Sequence, residues 1–216
     1  MERLMSFSAD ELVRERADAA DEDVHFPMAL VRAVLDEYTS PGDTVLDPFA
    51  GFGTTLLGCA QMGRGAVGIE LLPERVALIR QRLAGSAATV IEGDARRLDG
   101  FGFGPFDLCL TSPPYMSALD QPSNPLTGYT TTDGHYPTYV AELTGVFAAV
   151  AALLRPGGHL VINAANIRNG DVVTPLAWDI AHAVSAHLSM RTETYLHWDQ
   201  PPEWLSGDYC LVFQKT

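Results

Sequence analysis

The 216-residue sequence predicts an α/β fold: a doubly wound, mostly parallel sheet with helices on both faces. Three observations lead there. Short apolar runs alternate with segments of helical period from Phe26 onward, as in chained βαβ units. The connections are brief and rich in Pro and Gly. Four of the apolar runs end on a glycine turn, a carboxylate or a proline pair, and on such sheets ligands sit beyond the carboxyl ends of the strands.

The elements follow in order. Residues 1–24 hold eight acids and three arginines, and Ser8-Ala-Asp-Glu11 reads as a capping box opening a short helix. This stretch is taken as an acidic N-terminal arm, with one domain over 25–216. Leu30, Val34 and Tyr38 recur at helical spacing, and Pro41-Gly42-Asp43 makes a turn. Thr44–Asp47 reads as a strand, Thr54–Met62 as a helix and Ala66–Glu70 as a strand. Pro73 opens the next helix, where a missing N–H costs nothing, and Val76, Ile79 and Leu83 form its apolar stripe. Thr89–Glu92 and Phe106–Thr111 are the third and fourth strands. A polar loop over about 116–136 leads to a helix marked by Val140, Leu143, Phe147, Val150 and Leu154, stopped by Arg155-Pro-Gly-Gly158. His159–Asn163 reads as a strand, Leu176–Leu188 as a helix, and Arg191–His197 with Tyr209–Gln214 as a closing antiparallel pair.

Composition narrows the function. Hydrophobic residues make up 47% and charged residues 19%, the balance of an ordinary globular domain. The N-terminus lacks an apolar leader segment, and no run is expected to span a bilayer. Cys59, Cys109 and Cys210 are widely spaced among apolar neighbours, which reads as inert core thiols in a reducing cytoplasm. No CxxC or paired-His spacing suggests a metal site. The net charge of −13, with Lys215 the single lysine, counts against strong sequence-independent DNA binding. Arg75, Arg80, Arg82, Arg96 and Arg97 are the densest basic group, a solvated helix face being the plainer account of most of them.

The strand ends carry the chemistry. Asp47-Pro-Phe-Ala-Gly51-Phe-Gly53-Thr54-Thr55 is a glycine-rich turn into a helix, where backbone N–H groups can meet an anion. It lacks the third glycine of the dinucleotide fingerprint and the lysine of a P-loop, so a plain structural turn remains the alternative. Glu70, 23 residues after Asp47, is placed to accept both hydroxyls of a ribose, or is a surface acid. Asp94 ends the third strand, where it can accept from an adenine amino group. Together these favour a nucleoside-shaped cofactor. At the fourth strand end, Ser112-Pro113-Pro114-Tyr115 is a stiff stretch whose carbonyls point in fixed directions, suited to a fold boundary or to a set of fixed acceptors.

With "LDPFAGFGTTLLGCAQMGRGAVGIE" and "TSPPY" in hand, the chain resembles the amino-methylating DNA methyltransferases, which modify the exocyclic nitrogen of cytosine or adenine. The segment "HFPMALVRAVLDEYTSPGD" resembles that family's His-Pro stretch, and "GDYCLVFQK" its closing strand, so the likeness runs from His25 to Lys215. It implies a Rossmann-like class I fold dependent on S-adenosylmethionine. It also implies cofactor contacts from His25, Phe26, Pro27, Asp47, Pro48, Phe49, Gly51, Gly53, Thr54, Thr55, Glu70, Leu71, Asp94 and Ala95. Ser112, Pro113, Pro114 and Tyr115 become the catalytic set. An exocyclic amine is a poor nucleophile because its lone pair is delocalised. The Ser112 hydroxyl and the Pro113 carbonyl would accept its two N–H bonds and favour a pyramidal nitrogen, while Tyr115 stacks on the base. Phe49 offers an aromatic face to the sulfonium. Pro114 and Tyr115 stand where carbon-methylating cytosine enzymes carry a nucleophilic cysteine after the proline, so covalent catalysis is excluded. Serine at the first position leans toward N4 of cytosine.

The sequence departs from the family in its loops. Residues 116–137 contain Asp120 and Asp133 but no Lys or Arg, and "HWDQPPEWLSGD" is likewise acidic. Trp198 and Trp204 either flank an extruded base or cap the sheet edge. DNA is the expected partner, with recognition supplied by a second copy or a specificity partner and no membrane involved. The same chemistry on RNA, a nucleoside or another planar amine is the alternative, and an inactive cofactor-binding subunit is the third reading. Asn163 and Asn166 either line the substrate side or serve turns. His135, His182, His187 and His197 read as packing or surface residues.

Overall fold

The computed structural model describes residues 2–15, 27–119, 123–132 and 134–216. Among the described residues the elements are β1 (Leu4–Phe7), α1 (Ala9–Glu15), α2 (Met28–Tyr38), β2 (Thr44–Asp47), α3 (Thr54–Gln61), β3 (Gly65–Glu70), α4 (Pro73–Arg82), β4 (Thr89–Glu92), β5 (Phe106–Thr111), α5 (Tyr136–Leu153), β6 (Leu154–Asn169), β7 (Val172–Thr174), α6 (Leu176–Val184), β8 (Ser189–Trp198) and β9 (Leu205–Gln214). They form one sheet in the order β1-β8-β9-β6-β5-β2-β3-β4, with β7 beside β6.

Strands β4, β3, β2, β5 and β6 run parallel, while β9 is antiparallel to both β6 and β8. Central β5 is buried at every position, which is why Leu108-Cys-Leu110 reads as an unbroken apolar run, while Asp107 at its start accepts from Thr44 of β2. Two apolar layers sandwich the sheet. One holds Leu143, Phe147 and Val150 of α5 with Ile180 of α6. The other holds Leu30 and Val34 of α2, Leu56 of α3 and Ile79 of α4. Phe147 is 1% exposed, and its truncation to Ala would cost about 3–5 kcal/mol. Close approach demands glycine at Gly68, where a Cβ would meet Leu56 Cδ1 at 2.6 Å.

Three expectations need correction. The strand expected over His159–Asn163 extends from Leu154 to Asn169, because β9 starts at Leu205 and supplies ladder partners as far as Ile167. Asn163 and Asn166, expected on the substrate side or in turns, therefore lie buried within a strand. The chain then turns through Gly170, at φ 58°, into the short β7, which sequence reading did not anticipate. Finally, α5 has 18 residues and is apolar enough by length and composition to cross a bilayer, although Tyr139, Leu143, Phe147 and Val150 are buried against the sheet.

The N-terminal residues dock on the sheet edge. β1 pairs in parallel with β8, and the Thr194 hydroxyl donates to the Glu2 carbonyl at 2.7 Å. Asp199 accepts from the Ala9 N–H at 2.9 Å, and Glu15 from the Met28 N–H at 2.7 Å, so carboxylates meet free N–H groups at the starts of α1 and α2. Residues 1 and 16–24 of the expected arm lie outside the described residues.

Candidate active site

From β2 the chain winds outward through β3 and β4, then returns past β2 to β5 and β6. The winding direction thus reverses between β2 and β5, and a crevice opens where their carboxyl ends diverge. Asp47 ends β2 and is 2% exposed. Its Oδ1 accepts from the Thr111 hydroxyl at 2.7 Å and from the Phe49 N–H at 3.1 Å. Burial pushes its carboxyl up to about 6, against the pull of those hydrogen bonds.

Glu70 ties the glycine turn to β3. Its Oε2 accepts from the Gly51 N–H at 2.8 Å and its Oε1 from the Leu72 N–H at 3.0 Å. It is 7% exposed and lines the crevice, and burial raises its carboxyl above the ordinary range. Gly53, at φ 83°, starts α3 and packs so tightly that a Cβ would lie 3.1 Å from Ile79 Cγ1. It does not line the crevice, and neither does Pro27, the buried residue ahead of α2. Both were expected to touch a cofactor; Gly53 is required by the turn and its packing, and Pro27 starts a helix. His25 and Phe26 lie outside the described residues.

The remaining expected residues converge. Asp47, Pro48, Phe49, Gly51, Thr54, Thr55, Glu70, Leu71, Asp94 and Ala95 share one crevice of about 400 Å³ with Ser112, Pro113, Pro114 and Tyr115. That volume suits a small-molecule site. At the elbow after β5, the Tyr139 hydroxyl donates to the Pro114 carbonyl at 2.8 Å, and Tyr139 itself is fully buried. Ser112 Oγ and the Tyr115 hydroxyl lie 3.3 Å apart, and the latter reaches the Asn163 carbonyl at 3.5 Å. Among the described residues no donor reaches the Pro113 carbonyl.

Asp94 lines the crevice with its carboxylate already engaged. Arg96 grips both its oxygens, with Nη2 to Oδ2 at 2.8 Å, and the Arg96 N–H adds a bond at 2.9 Å. Burial opposes ionisation, but the Arg96 contacts prevail and hold the carboxyl below its usual range. Arg96 also reaches Glu142 at 3.1 Å, and Glu142 accepts from Asn124 at 2.7 Å. Asn124 in turn caps the turn that carries Leu126 and Gly128 over the crevice.

Several lining residues escaped sequence reading. Arg75 lines the wall, with its guanidinium 4.8 Å from the centroid of the Phe52 ring. Ser117, Ile167 and Asn169 line the opposite end, and the Asn169 amide donates to Ser117 Oγ at 2.6 Å. Only the β6–β7 hairpin brings Asn169 there, and no sequence motif marked it. The two candidate tryptophans separate: Trp204 lines the crevice with its ring centroid 6.3 Å from that of Tyr115, whereas Trp198, at the end of β8, does not line it and donates to Asp208 at 2.8 Å. Asn163 also donates to Asp208, and Asn166 accepts from the Ala177 N–H at 3.0 Å, so both expected substrate-side amides do structural duty. His135, His182, His187 and His197 are exposed and none lines the crevice.

Known proteins resemble this chain in part of its sequence and in its fold. Residues 12–81 match the family model described as DNA methylase. Type II methyltransferase M.XycI of Xanthomonas campestris pv. cyanopsidis is 50% identical over 66 residues, which are 31% of this chain and 22% of that protein. Type II methyltransferase M.Cfr9I of Citrobacter freundii is 48% identical over 66 residues, with the same shares. The match thus spans about a fifth of the length of these relatives. Among solved structures, TrmN from Thermus thermophilus superposes with a TM-score of 0.64 at 21% identity, covering 88% of this chain and 49% of TrmN. Magnesium protoporphyrin IX methyltransferase from Synechocystis PCC 6803, solved with bound SAM, gives 0.61 at 15% identity, covering 87% and 77%. The chain has the fold of the class I SAM-dependent methyltransferases, and its residues 12–81 carry the signature of the amino-methylating DNA methylase family.

Proposed function

We propose that the protein is a SAM-dependent methyltransferase acting on an exocyclic amino group of DNA, N4 of cytosine or N6 of adenine. The observation that carries this reading is that the acceptor-bearing elbow, Ser112–Tyr115, opens into the same crevice as Asp47, Phe49 and Glu70.

The residues present fit the cofactor. Thr55 is fully buried on the crevice wall beside Asp47, and its hydroxyl helps hold that carboxyl down against the effect of burial. Glu70 would accept from ribose hydroxyls, Asp47 would pair with the ammonium of the methionine part, and Phe49 would face the sulfonium. When bound, S-adenosylmethionine supplies a methyl carbon made electrophilic by its positive sulfur.

The chain's own residues prepare the amine. Ser112 Oγ and the Pro113 carbonyl accept its two N–H bonds and thereby favour a pyramidal nitrogen with an available lone pair, so they stabilise the transition state more than the planar ground state. The two prolines and the Tyr139 bond to Pro114 fix the elbow in advance. Tyr115 and Trp204 offer aromatic surface to an extruded base, worth about 1–3 kcal/mol for a stacked base.

The net charge of −13 and the acidic loops argue that DNA contacts come largely from a second copy or a specificity partner. The three buried free thiols suit a reducing, cytoplasmic setting. The test is transfer of labelled methyl from S-adenosylmethionine to duplex DNA, single-stranded DNA, tRNA and free nucleosides at low salt, with the Ser112→Ala variant as control. Label on DNA that the variant loses supports the reading. Label confined to nucleosides or RNA would replace its substrate, and no label anywhere would leave only a cofactor-binding role.

A further inference from the structure

We propose that Asp208, on β9, is a positioning residue for the transfer step: held by Asn163 and Trp198 behind Tyr115, its carboxylate stabilises the positive charge that arrives on the amine nitrogen. The inference rests on the activity proposed above and concerns a residue that does not line the crevice.

Asp208 is 7% exposed. Its Oδ1 accepts from Asn163 Nδ2 at 2.6 Å and its Oδ2 from Trp198 Nε1 at 2.8 Å. Among the described residues no Lys, Arg or His pairs with it. The groups around it are Asn163 from β6, Trp198 from β8, Tyr115 from the elbow, and Tyr209 and Cys210 on its own strand, none of them cationic. Burying a carboxylate without a countercharge is costly, and an apolar or amide residue would fill the place at lower cost. A charge kept there at the back of a reaction crevice points to use.

Contacts lead from this carboxylate to the elbow. The Asn163 side-chain amide donates to Asp208, while the backbone carbonyl of the same residue accepts from the Tyr115 hydroxyl at 3.5 Å, and that hydroxyl lies 3.3 Å from Ser112 Oγ. Burial first, and the Asp208 charge second, push the Tyr115 phenol up, so the field of the carboxylate is felt at the elbow and the phenol stays neutral.

The reaction gives that field something to act on. The nitrogen lone pair forms the N–C bond while the C–S bond breaks with its electron pair going to sulfur. Positive charge passes from sulfur to nitrogen, and nitrogen then releases a proton to water. An anion fixed on the elbow side favours the charge after transfer over the charge before it. Burial raises the Asp208 carboxyl to about 6, partly offset by the Trp198 and Asn163 hydrogen bonds, so the anion is present above neutrality and lost in mild acid.

The test compares Asp208→Asn with Trp198→Phe, following kcat from pH 5 to 9 at saturating cofactor and DNA, and the Trp198 indole N–H resonance in the cofactor-free protein. Saturation removes the contribution of Asp47, which would act through cofactor affinity. Wild-type kcat rises with pH through about 6, and the indole resonance titrates over the same range. Asp208→Asn loses that rise, with kcat at pH 8 down about 10- to 100-fold and the cofactor Kd within about threefold. Trp198→Phe breaks one of the same bonds but keeps the charge; it retains most of kcat at pH 8, and its rise moves to higher pH. Equal losses in both variants with an unmoved pH profile would assign Asp208 a merely structural role and overturn the inference. So would an indole resonance that does not titrate between pH 5 and 7. An inactive wild type would instead overturn the activity reading, and this inference with it.

Discussion

Thr111 Oγ1 donates to Asp47 Oδ1 across 2.7 Å, joining the ends of the two strands between which the sheet reverses its winding. That bond holds a buried carboxylate at the floor of the crevice and keeps it ionisable near neutrality. Thr111→Val preserves the shape and removes the donor. The Asp47 carboxyl should then titrate above about 6, and cofactor affinity at pH 7 should fall about 3- to 30-fold, recovering in part at pH 8. Calorimetry at pH 6, 7 and 8 measures this, and equal affinities for variant and wild type at every pH would contradict it.

Glu70 uses one oxygen on the Gly51 N–H and the other on the Leu72 N–H, so it shapes the glycine turn while facing the crevice. Glu70→Ala should weaken cofactor binding about 10- to 100-fold, the scale of hydrogen bonds to a charged acceptor. An unchanged dissociation constant by calorimetry would refute the ribose assignment.

Tyr139→Phe removes only the hydroxyl that holds the Pro114 carbonyl. The elbow loses a brace but keeps its acceptors, so kcat should fall about tenfold with cofactor affinity unaltered. Steady-state kinetics paired with calorimetry separates the two. A loss confined to cofactor affinity would show that Tyr139 serves the other half of the crevice.

Asp47 and Asp208 both titrate near 6 in the folded protein, against an ordinary 3.8. The folded state therefore holds these protons more tightly than the unfolded chain. Their cost to stability is absent below about pH 4, grows as pH rises, and is fully developed above about 6, at roughly 3 kcal/mol each. The difference in Tm between pH 5 and pH 7.5 in the cofactor-free protein should shrink in Asp47→Asn and in Asp208→Asn. Calorimetric scans that show the same difference in wild type and both variants would rule out the burial cost.

The central sheet was legible because its inner strands are apolar and buried and its strands are bounded by strong punctuation. Thr44–Asp47, Thr89–Glu92 and Phe106–Thr111 fall where apolar runs meet Gly, Pro or Asp, and α4 begins at Pro73 as its first-turn proline dictates. Elements stabilised by distant partners were not legible. β1 exists because β8 offers a free edge, and the extension of β6 exists because β9 lies beside it. The same divide runs through the site. Local motifs identified Asp47, Glu70 and the Ser112–Tyr115 elbow, whereas Ser117, Asn169 and Trp204 reach the crevice, and Asp208 meets Asn163, only after β6, β7, β8 and β9 have paired. Asp94 lay between: its position was legible, but its capture by Arg96, two residues on, depends on how the following helical turn folds the guanidinium back.

The most direct test of the central claim is nucleoside mass spectrometry of DNA treated with the protein and S-adenosylmethionine carrying a heavy methyl group. The elbow geometry predicts heavy label on an exocyclic nitrogen, as N4-methylcytosine or N6-methyladenine, lost in Ser112→Ala. Heavy label on carbon 5 of cytosine, or DNA methylation that survives the loss of the Ser112 hydroxyl undiminished, would contradict it.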